Sequence, residues 1–248
     1  MANLRAVPSA NAFGHRANRL LAALEADDFA RLEPHLEALQ LAAGTVLYES
    51  GDPVRHAYFP HGCVVSLLAV LEDGGSAEVA LFGCEGVTGY ASSLFSREAF
   101  GRYVVQVPGA ASRLPIARLS EAAQASPRLR DLLQRYTESL LMQTFQSVAC
   151  NAVHAVEARC CRWLLSTQDR VGQKDLPLTH EFLAEMLGVQ RSTVSLVVRA
   201  LQTAGLIRQG RGVISVSDRA GLEESACECY GAIRRTFERL LPRTYTNE

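Results

Sequence analysis

At 248 residues, with 48% apolar and 21% charged positions, the chain is long enough for one large or two modest domains and can bury a substantial core. Collagen-like, disordered and miniature disulfide-stapled classes are excluded. The formal net charge of −1 hides an asymmetry: 12 basic and 15 acidic residues over 1–150 (net −3) against 13 and 11 over 151–248 (net +2).

The first thirty residues carry Arg5, Arg16, Arg19, Glu25, Asp27 and Asp28 with no uninterrupted apolar run, and no stretch approaches the ~18 apolar residues of a membrane span. The expectation is a cytoplasmic chain without a membrane partner. Seven cysteines (63, 84, 150, 160, 161, 227 and 229), an odd count with no CxxC, read as reduced thiols. Residues 18–40 have helical spacing (Leu20, Leu21, Leu24, Phe29, Leu32, Leu36, Leu39), with Asp27 and Asp28 placed to cap a second short helix. From residue 41 the period changes. Short apolar runs at 45–48, 57–59, 64–71, 76–82, 102–107 and 112–116 are separated by Gly-, Asp- and Pro-containing turns, the pattern of an antiparallel barrel or sandwich.

Ser126 and Pro127 have the chemistry of a helix cap and first position. Leu129, Leu133, Tyr136 and Leu140 follow at spacings of 4, 3 and 4, a coiled-coil seam that predicts a homodimer interface. Leu132, Leu141, Phe145 and Val148 broaden this surface, so the helix can also face its own barrel. A further helix is predicted over 155–167, and 172–177 reads as a loop.

Residues 179–216 carry the most specific pattern. Thr179 caps a short amphipathic helix, Gly188-Val189 forms a tight turn, and residues 190–204 form a second helix with Val194, Val197, Val198 and Leu201 on one face. Two short strands around Gly210-Arg211-Gly212 then make a wing. A helix of this kind fits the DNA major groove, where its first turn meets base edges. Thr179, His180, Gln190, Arg191, Ser192, Thr193 and Ser195 are the candidate contacts there, Arg191 being suited to a guanine. Arg199, Arg208 and Arg211 are placed for phosphates. Within 190–219 five arginines, including Arg219, stand against Asp218 alone, a net +4.

Over essentially its whole length the chain resembles the bacterial Crp/Fnr transcription regulators. The resemblance rests on 44–53 (Gly-Thr-Val-Leu-Tyr-Glu-Ser-Gly-Asp-Pro), Val156-Glu157-Ala158-Arg159, Arg162-Trp163-Leu164-Leu165, and the winged motif from Leu178 to Ile214. It implies an α+β chain: an N-terminal helical segment (1–40), a cyclic-nucleotide-binding-like, jelly-roll-like antiparallel β-roll (41–125), a dimerisation helix (126–151) and a winged helix-turn-helix domain (152–248). It also implies a homodimer on palindromic double-stranded DNA, with RNA polymerase as a further partner, and Arg191 at the position of the base-reading arginine. Ser192, where the family usually has Glu, and Leu196, where it often has Arg, leave the half-site sequence open.

The stretches aligned with the family's phosphate cassette are Cys84-Glu85-Gly86 and Gly101-Arg102-Tyr103, so Glu85, Arg102 and Tyr103 form the candidate ligand pocket. Tyr103 replaces the small hydroxyl residue. Arg102 is free to pair with Glu85 in an empty pocket, so no cofactor is expected and the effector is open. A cyclic-AMP-responsive regulator is the alternative. A cupin-like metalloenzyme is a more distant one, but His56 and His61 lack its ligand spacing, and no catalytic residue or metal site is expected. An iron–sulfur sensor needs cysteines near the N-terminus, and the first here is Cys63. Cys160-Cys161 and Cys227-x-Cys229 have the chemistry to react or bind metal, but they read first as small buried residues, and His154 reads as a packing or capping residue ahead of a haem ligand.

Overall fold

The computed structural model describes residues 14–245, so the first thirteen residues of the predicted N-terminal segment lie outside the description. Asn18 starts helix α1 (Arg19–Ala22): its Oδ1 accepts from Leu21 N at 3.0 Å while its amide donates to the Pro60 and Gly86 carbonyls. In α2 (Ala26–Leu32) the cap position falls to Glu25, and Asp28 instead accepts from Ser126 Oγ at 2.9 Å. The helical expectation also ran too far. Strand β1 (Glu37–Leu41) begins inside it, because Leu39 and Leu41 alternate with polar neighbours and bury one face against a sheet.

The strands β2 (Val46–Tyr48), β3 (His56–Pro60), β4 (Val64–Val70) and β5 (Ser76–Phe82) follow, then a short helix α3 (Tyr90–Ser93), β6 (Arg102–Val107) and β7 (Gly109–Pro115). They pair antiparallel as two sheets, ordered β1-β7-β3 and β2-β6-β4-β5. Tyr48, Tyr58, Phe59, Phe82 and Tyr103 are buried among them, with the Tyr103 ring 6.0 Å from Tyr48 and 5.6 Å from Phe82. This is the predicted β-roll.

Helix α4 (Ile116–Ala125), which no expectation placed, leads into α5 (Pro127–Val153). Ser126 Oγ accepts from Leu129 N at 3.2 Å and Pro127 takes the first turn, as the sequence predicts. The 4-3-4 seam has a different use from the one expected. Leu129, Leu133, Tyr136 and Leu140 are buried within the single chain, Tyr136 Oη donates to the Val87 carbonyl at 2.9 Å, and Gln143 Nε2 to the Leu81 carbonyl at 3.0 Å. Gly86 permits this contact, since a Cβ there would sit 2.6 Å from Tyr136 Oη. The assignment of these four residues to a dimer interface is therefore corrected: they hold α5 to its own β-roll. Leu141, Met142, Phe145 and Val148 stay exposed on the other side of α5.

After α6 (Val156–Val171) come β8 (Asp175–Leu176), α7 (His180–Leu187), α8 (Arg191–Thr203), β9 (Ile207–Gly210), β10 (Val213–Val216), α9 (Arg219–Ser225) and α10 (Cys229–Leu240). The last helix does not belong to the winged unit. Ile233, Phe237 and Leu240 join the core of the β-roll and α5, so the predicted 152–248 domain ends structurally near Ser225. The last described helix returns to the first domain.

The winged unit packs on the β-roll through α6 and through the end of α7, which lies against β5 at Ser76 and Ala77. Trp163 Nε1 donates to both carboxylate oxygens of Glu78, at 3.0 and 3.1 Å, and Ser66 Oγ donates to Glu78 at 2.5 Å. Burial pushes the Glu78 carboxyl up to about 7, against these donors, which favour its charge. From an ordinary value of 4.5, the unfolded chain loses this proton first. The folded state holds it longer, so stability falls as pH rises through the window from 4.5 to about 7. Glu78→Gln should remove that slope and raise stability at pH 8 by up to about 3 kcal/mol. Urea unfolding at pH 5 and pH 8 checks this; a variant with the wild-type pH difference would contradict it.

Candidate nucleic-acid interface

The two-helix unit is assembled as its residue types dictate. Thr179 Oγ1 accepts from Phe182 N at 3.3 Å and caps α7. Gly188, at φ +62°, ends α7 in the left-handed conformation that glycine adopts without strain. Val189 N then bonds the Ala184 carbonyl at 3.0 Å, and Leu183, Leu187, Val194, Val198 and Leu201 bury where the helices meet. That leaves Gln190, Arg191, Ser192, Leu196 and Arg199 exposed along α8, with Thr193 half-buried. Gln190 occupies the cap position without using its side chain for a cap bond, so its amide is free for an external partner.

Arg191 is not idle. Its Nε lies 2.9 Å from Glu181 Oε1 on α7, with both side chains largely exposed. A pair so open to water is worth at most about 1 kcal/mol, enough to aim the guanidinium and too little to trap it. His180 and Ser195 behave differently from the expectation. Ser195 Oγ donates to the Arg191 carbonyl at 3.0 Å, so its contact with His180 Nδ1 at 2.9 Å takes its proton from the imidazole. With His180 Nε2 also enclosed, these two residues brace α7 against α8 and do not present donors outward. Thr179 is likewise committed to its cap.

The wing forms as predicted, β9 pairing with β10 from Ile207↔Val216 to Gly210↔Val213 and Gly212 turning at φ +71°. Arg199, Arg208 and Arg211 are exposed and form no ion pair among the described residues. Arg219 is spoken for: it pairs with Asp169 at 2.7 Å and Glu223 at 2.9 Å and donates to Tyr230. The local excess of positive charge read from the sequence therefore rests on fewer free groups than were counted.

The candidate ligand pocket is not brought together. Arg102 lies at the surface, its Nε 2.8 Å from Glu49, and Tyr103 is buried in the aromatic core. Glu85 pairs instead with Arg170 of α6, Oε1 to Nε at 2.8 Å, with both side chains almost wholly buried. Arg170 also donates to the Ser166 carbonyl, to Gln143 Oε1 and to Tyr245 Oη. Burial works against its charge, but Glu85, Tyr245 and Asp169 outweigh that and push its pKa up. Its stem crosses Gly83, where an added Cβ would meet it at 2.5 Å. The Gly83–Gly86 turn is filled from inside by a guanidinium that the sequence reading did not connect to it.

Residues 158–225 match the family model of the Crp-like helix-turn-helix domain. The transcriptional regulator SdrP of Thermus thermophilus is 29% identical over 199 residues, spanning 77% of this chain and 94% of its own. The global nitrogen regulator of Nostoc sp. is 27% identical over 179 residues, spanning 68% of this chain and 80% of its own. A solved Crp/Fnr-family transcriptional regulator from Thermus thermophilus superimposes with a TM-score of 0.61 at 26% identity, over 77% of this chain and 98% of that one. FixK2 of Bradyrhizobium japonicum shares the fold at a TM-score of 0.66 and 17% identity, over 77% of this chain and 98% of its own. An antiparallel β-roll, a long helix and a winged helix-turn-helix define an N-terminal β domain joined to a DNA-binding unit. The chain is a transcription regulator with a Crp-like helix-turn-helix domain, similar over about three quarters of its length to regulators of the Crp/Fnr family.

Proposed function

We propose that two copies of the chain bind a palindromic DNA site, each α8 entering the major groove with Arg191 on a guanine. The observation that carries this reading is the exposed N-terminal turn of α8, where Gln190, Arg191 and Ser192 project while Arg208 and Arg211 of the wing flank them for phosphates. Leu196, exposed one turn beyond Ser192, offers an apolar contact to a thymine methyl where the family often has an arginine. RNA polymerase is the further partner proposed, in the cytoplasm, and the role is regulatory, not catalytic.

We propose further that DNA binding needs no cyclic nucleotide. The support is the Arg170–Glu85 pair, which fills the Gly83–Gly86 turn and withholds the carboxylate and glycines a phosphate cassette would offer. Selection from random duplex DNA with the purified chain, without added nucleotide, tests both readings. A recovered palindrome with half-sites about one helical turn apart supports them; recovery only with cyclic AMP present removes the second.

For the second copy, the proposed surface is the outer row of α5. Phe145 and Val148 are 60% and 57% exposed, and Leu141 and Met142 extend the row, a contiguous apolar stripe that a parallel α5 of a partner would cover. Phe145→Glu should weaken dimerisation by about tenfold or more and leave the thermal unfolding of the monomer close to wild type. Analytical ultracentrifugation checks it. Unchanged dimerisation would move the interface elsewhere.

A further inference from the structure

Three cysteines and a histidine that the DNA-binding surface does not use meet where α5 ends. Cys150 and His154 lie four residues apart, the first in the last turn of α5 and the second its C-terminal cap. Cys227 lies between α9 and α10, and Cys229, after the cap residue Glu228, opens α10. Cys227 and Cys229 are buried and His154 caps α5 through its backbone N–H, as their sequence reading expects, but nothing local in the sequence shows that the fold brings them to one point with Cys150. One donor atom from each of the four lies within 4.8 Å of every other. Cys150 Sγ is 3.5 Å from Cys227 Sγ, and Cys229 Sγ is 3.5 Å from His154 Nδ1.

These spacings select a chemistry. A tetrahedral ion with metal–sulfur bonds of about 2.3 Å and metal–nitrogen bonds of about 2.0 Å sets its donors roughly 3.5–3.8 Å apart, which two edges of the cluster already match. A disulfide needs sulfurs about 2.05 Å apart, well inside the Cys150–Cys227 separation. The surroundings also fit a metal. Glu228 Oε1 lies 3.2 Å from His154 Nε2, the outer-shell carboxylate that fixes a ligating imidazole with its other nitrogen inward. Gln146 Nε2 donates to Cys229 Sγ at 3.0 Å. Arg159 and Arg162 of α6 are buried within electrostatic reach of Cys150 and Cys227, and their charge offsets the net −1 of three thiolates and a divalent ion. Sulfur and imidazole donors in a closed tetrahedron favour zinc over the harder divalent cations.

We propose that Cys150, His154, Cys227 and Cys229 form a Cys3His zinc site. It fastens the end of α5 to the segment entering α10, at the joint where α5 passes to α6 and the DNA-binding unit begins. The bound ion is a structural clamp across that joint, its three thiolates and imidazole closing the coordination shell. Zinc binding releases the thiol protons to solvent and involves no change of oxidation state.

The full chain, purified with its thiols reduced and dialysed against zinc, should retain one equivalent of metal by elemental analysis. Replacing the zinc with cobalt should give the strong thiolate charge-transfer absorption and visible ligand-field bands of a tetrahedral sulfur-rich site. Cys150→Ser, Cys227→Ser and Cys229→Ser should lose the metal, and Cys63→Ser should keep it. Glu228→Gln, which leaves all four ligands and the local fold in place, should weaken zinc affinity by about tenfold or more. Wild-type chain that takes up neither metal, a cobalt spectrum without thiolate bands, metal retained in all three serine variants, or Cys150 and Cys227 recovered as a disulfide from freshly lysed cells would each overturn the proposal.

Discussion

Arg170→Met should lower the unfolding free energy by about 3–5 kcal/mol, because it leaves the Glu85 carboxylate buried without its cation. Among the described residues every side-chain partner of Arg170 is internal: Glu85 from the turn after β5, Gln143 from α5 and Tyr245 from the segment after α10. One guanidinium thus joins the β-roll, the long helix, α6 and the C-terminus. Removing the carboxylate at the same time should recover much of the loss, since Glu85→Gln combined with Arg170→Met leaves no unpaired charge. The ordering is diagnostic: the double variant should be more stable than Arg170→Met alone in urea, followed by the fluorescence of the single tryptophan, Trp163. A loss below about 1 kcal/mol in Arg170→Met would mean that the pair is hydrated and does not organise the Gly83–Gly86 turn.

The winged unit was legible in the sequence because its signals are local. Thr179 and Gly188 bound α7 through their own cap chemistry, and the apolar spacing of α8 fixes its inner face whatever packs on it. The strands at 76–82 and 102–107 were legible for the same reason, their turns carrying the residues that turns require. Partner choice was not. The seam from Leu129 to Leu140 shows that α5 has an apolar stripe, but the stripe fits a barrel as well as a second helix, and only the Val87 and Leu81 carbonyls waiting for Tyr136 and Gln143 decide the matter. The aligned cassette leaves Arg102 to pair with Glu85, and that pair does not form: the guanidinium on Glu85 arrives from α6, 85 residues away in sequence. Arg219 was counted as free charge because Asp169 and Tyr230 reach it only through tertiary structure. The cluster of Cys150 and Cys227 was hidden in the same way, its two sulfurs being 77 residues apart.

The second large effect concerns recognition itself. Arg191 is the guanidinium at the exposed start of α8, and its one ion pair among the described residues, with Glu181, is open to water and readily exchanged for a base edge. Losing a bidentate contact to guanine should cost about 1–3 kcal/mol at the preferred site, and less at sites that already lack that guanine. Arg211→Ala, at the wing tip, should instead weaken all sequences alike and reduce the salt slope by about 1.

The most direct test is therefore a pair of fluorescence-anisotropy titrations at fixed salt. Arg191→Ala and the wild type are each measured on the selected palindrome and on the same duplex with one symmetric guanine pair replaced. The wild type should prefer the intact palindrome by about 30-fold or more, two contacts at about 1–3 kcal/mol each, and Arg191→Ala should bind both duplexes with nearly equal, reduced affinity. An Arg191→Ala chain that kept the wild-type affinity and the wild-type base preference would contradict the placement of α8 in the major groove.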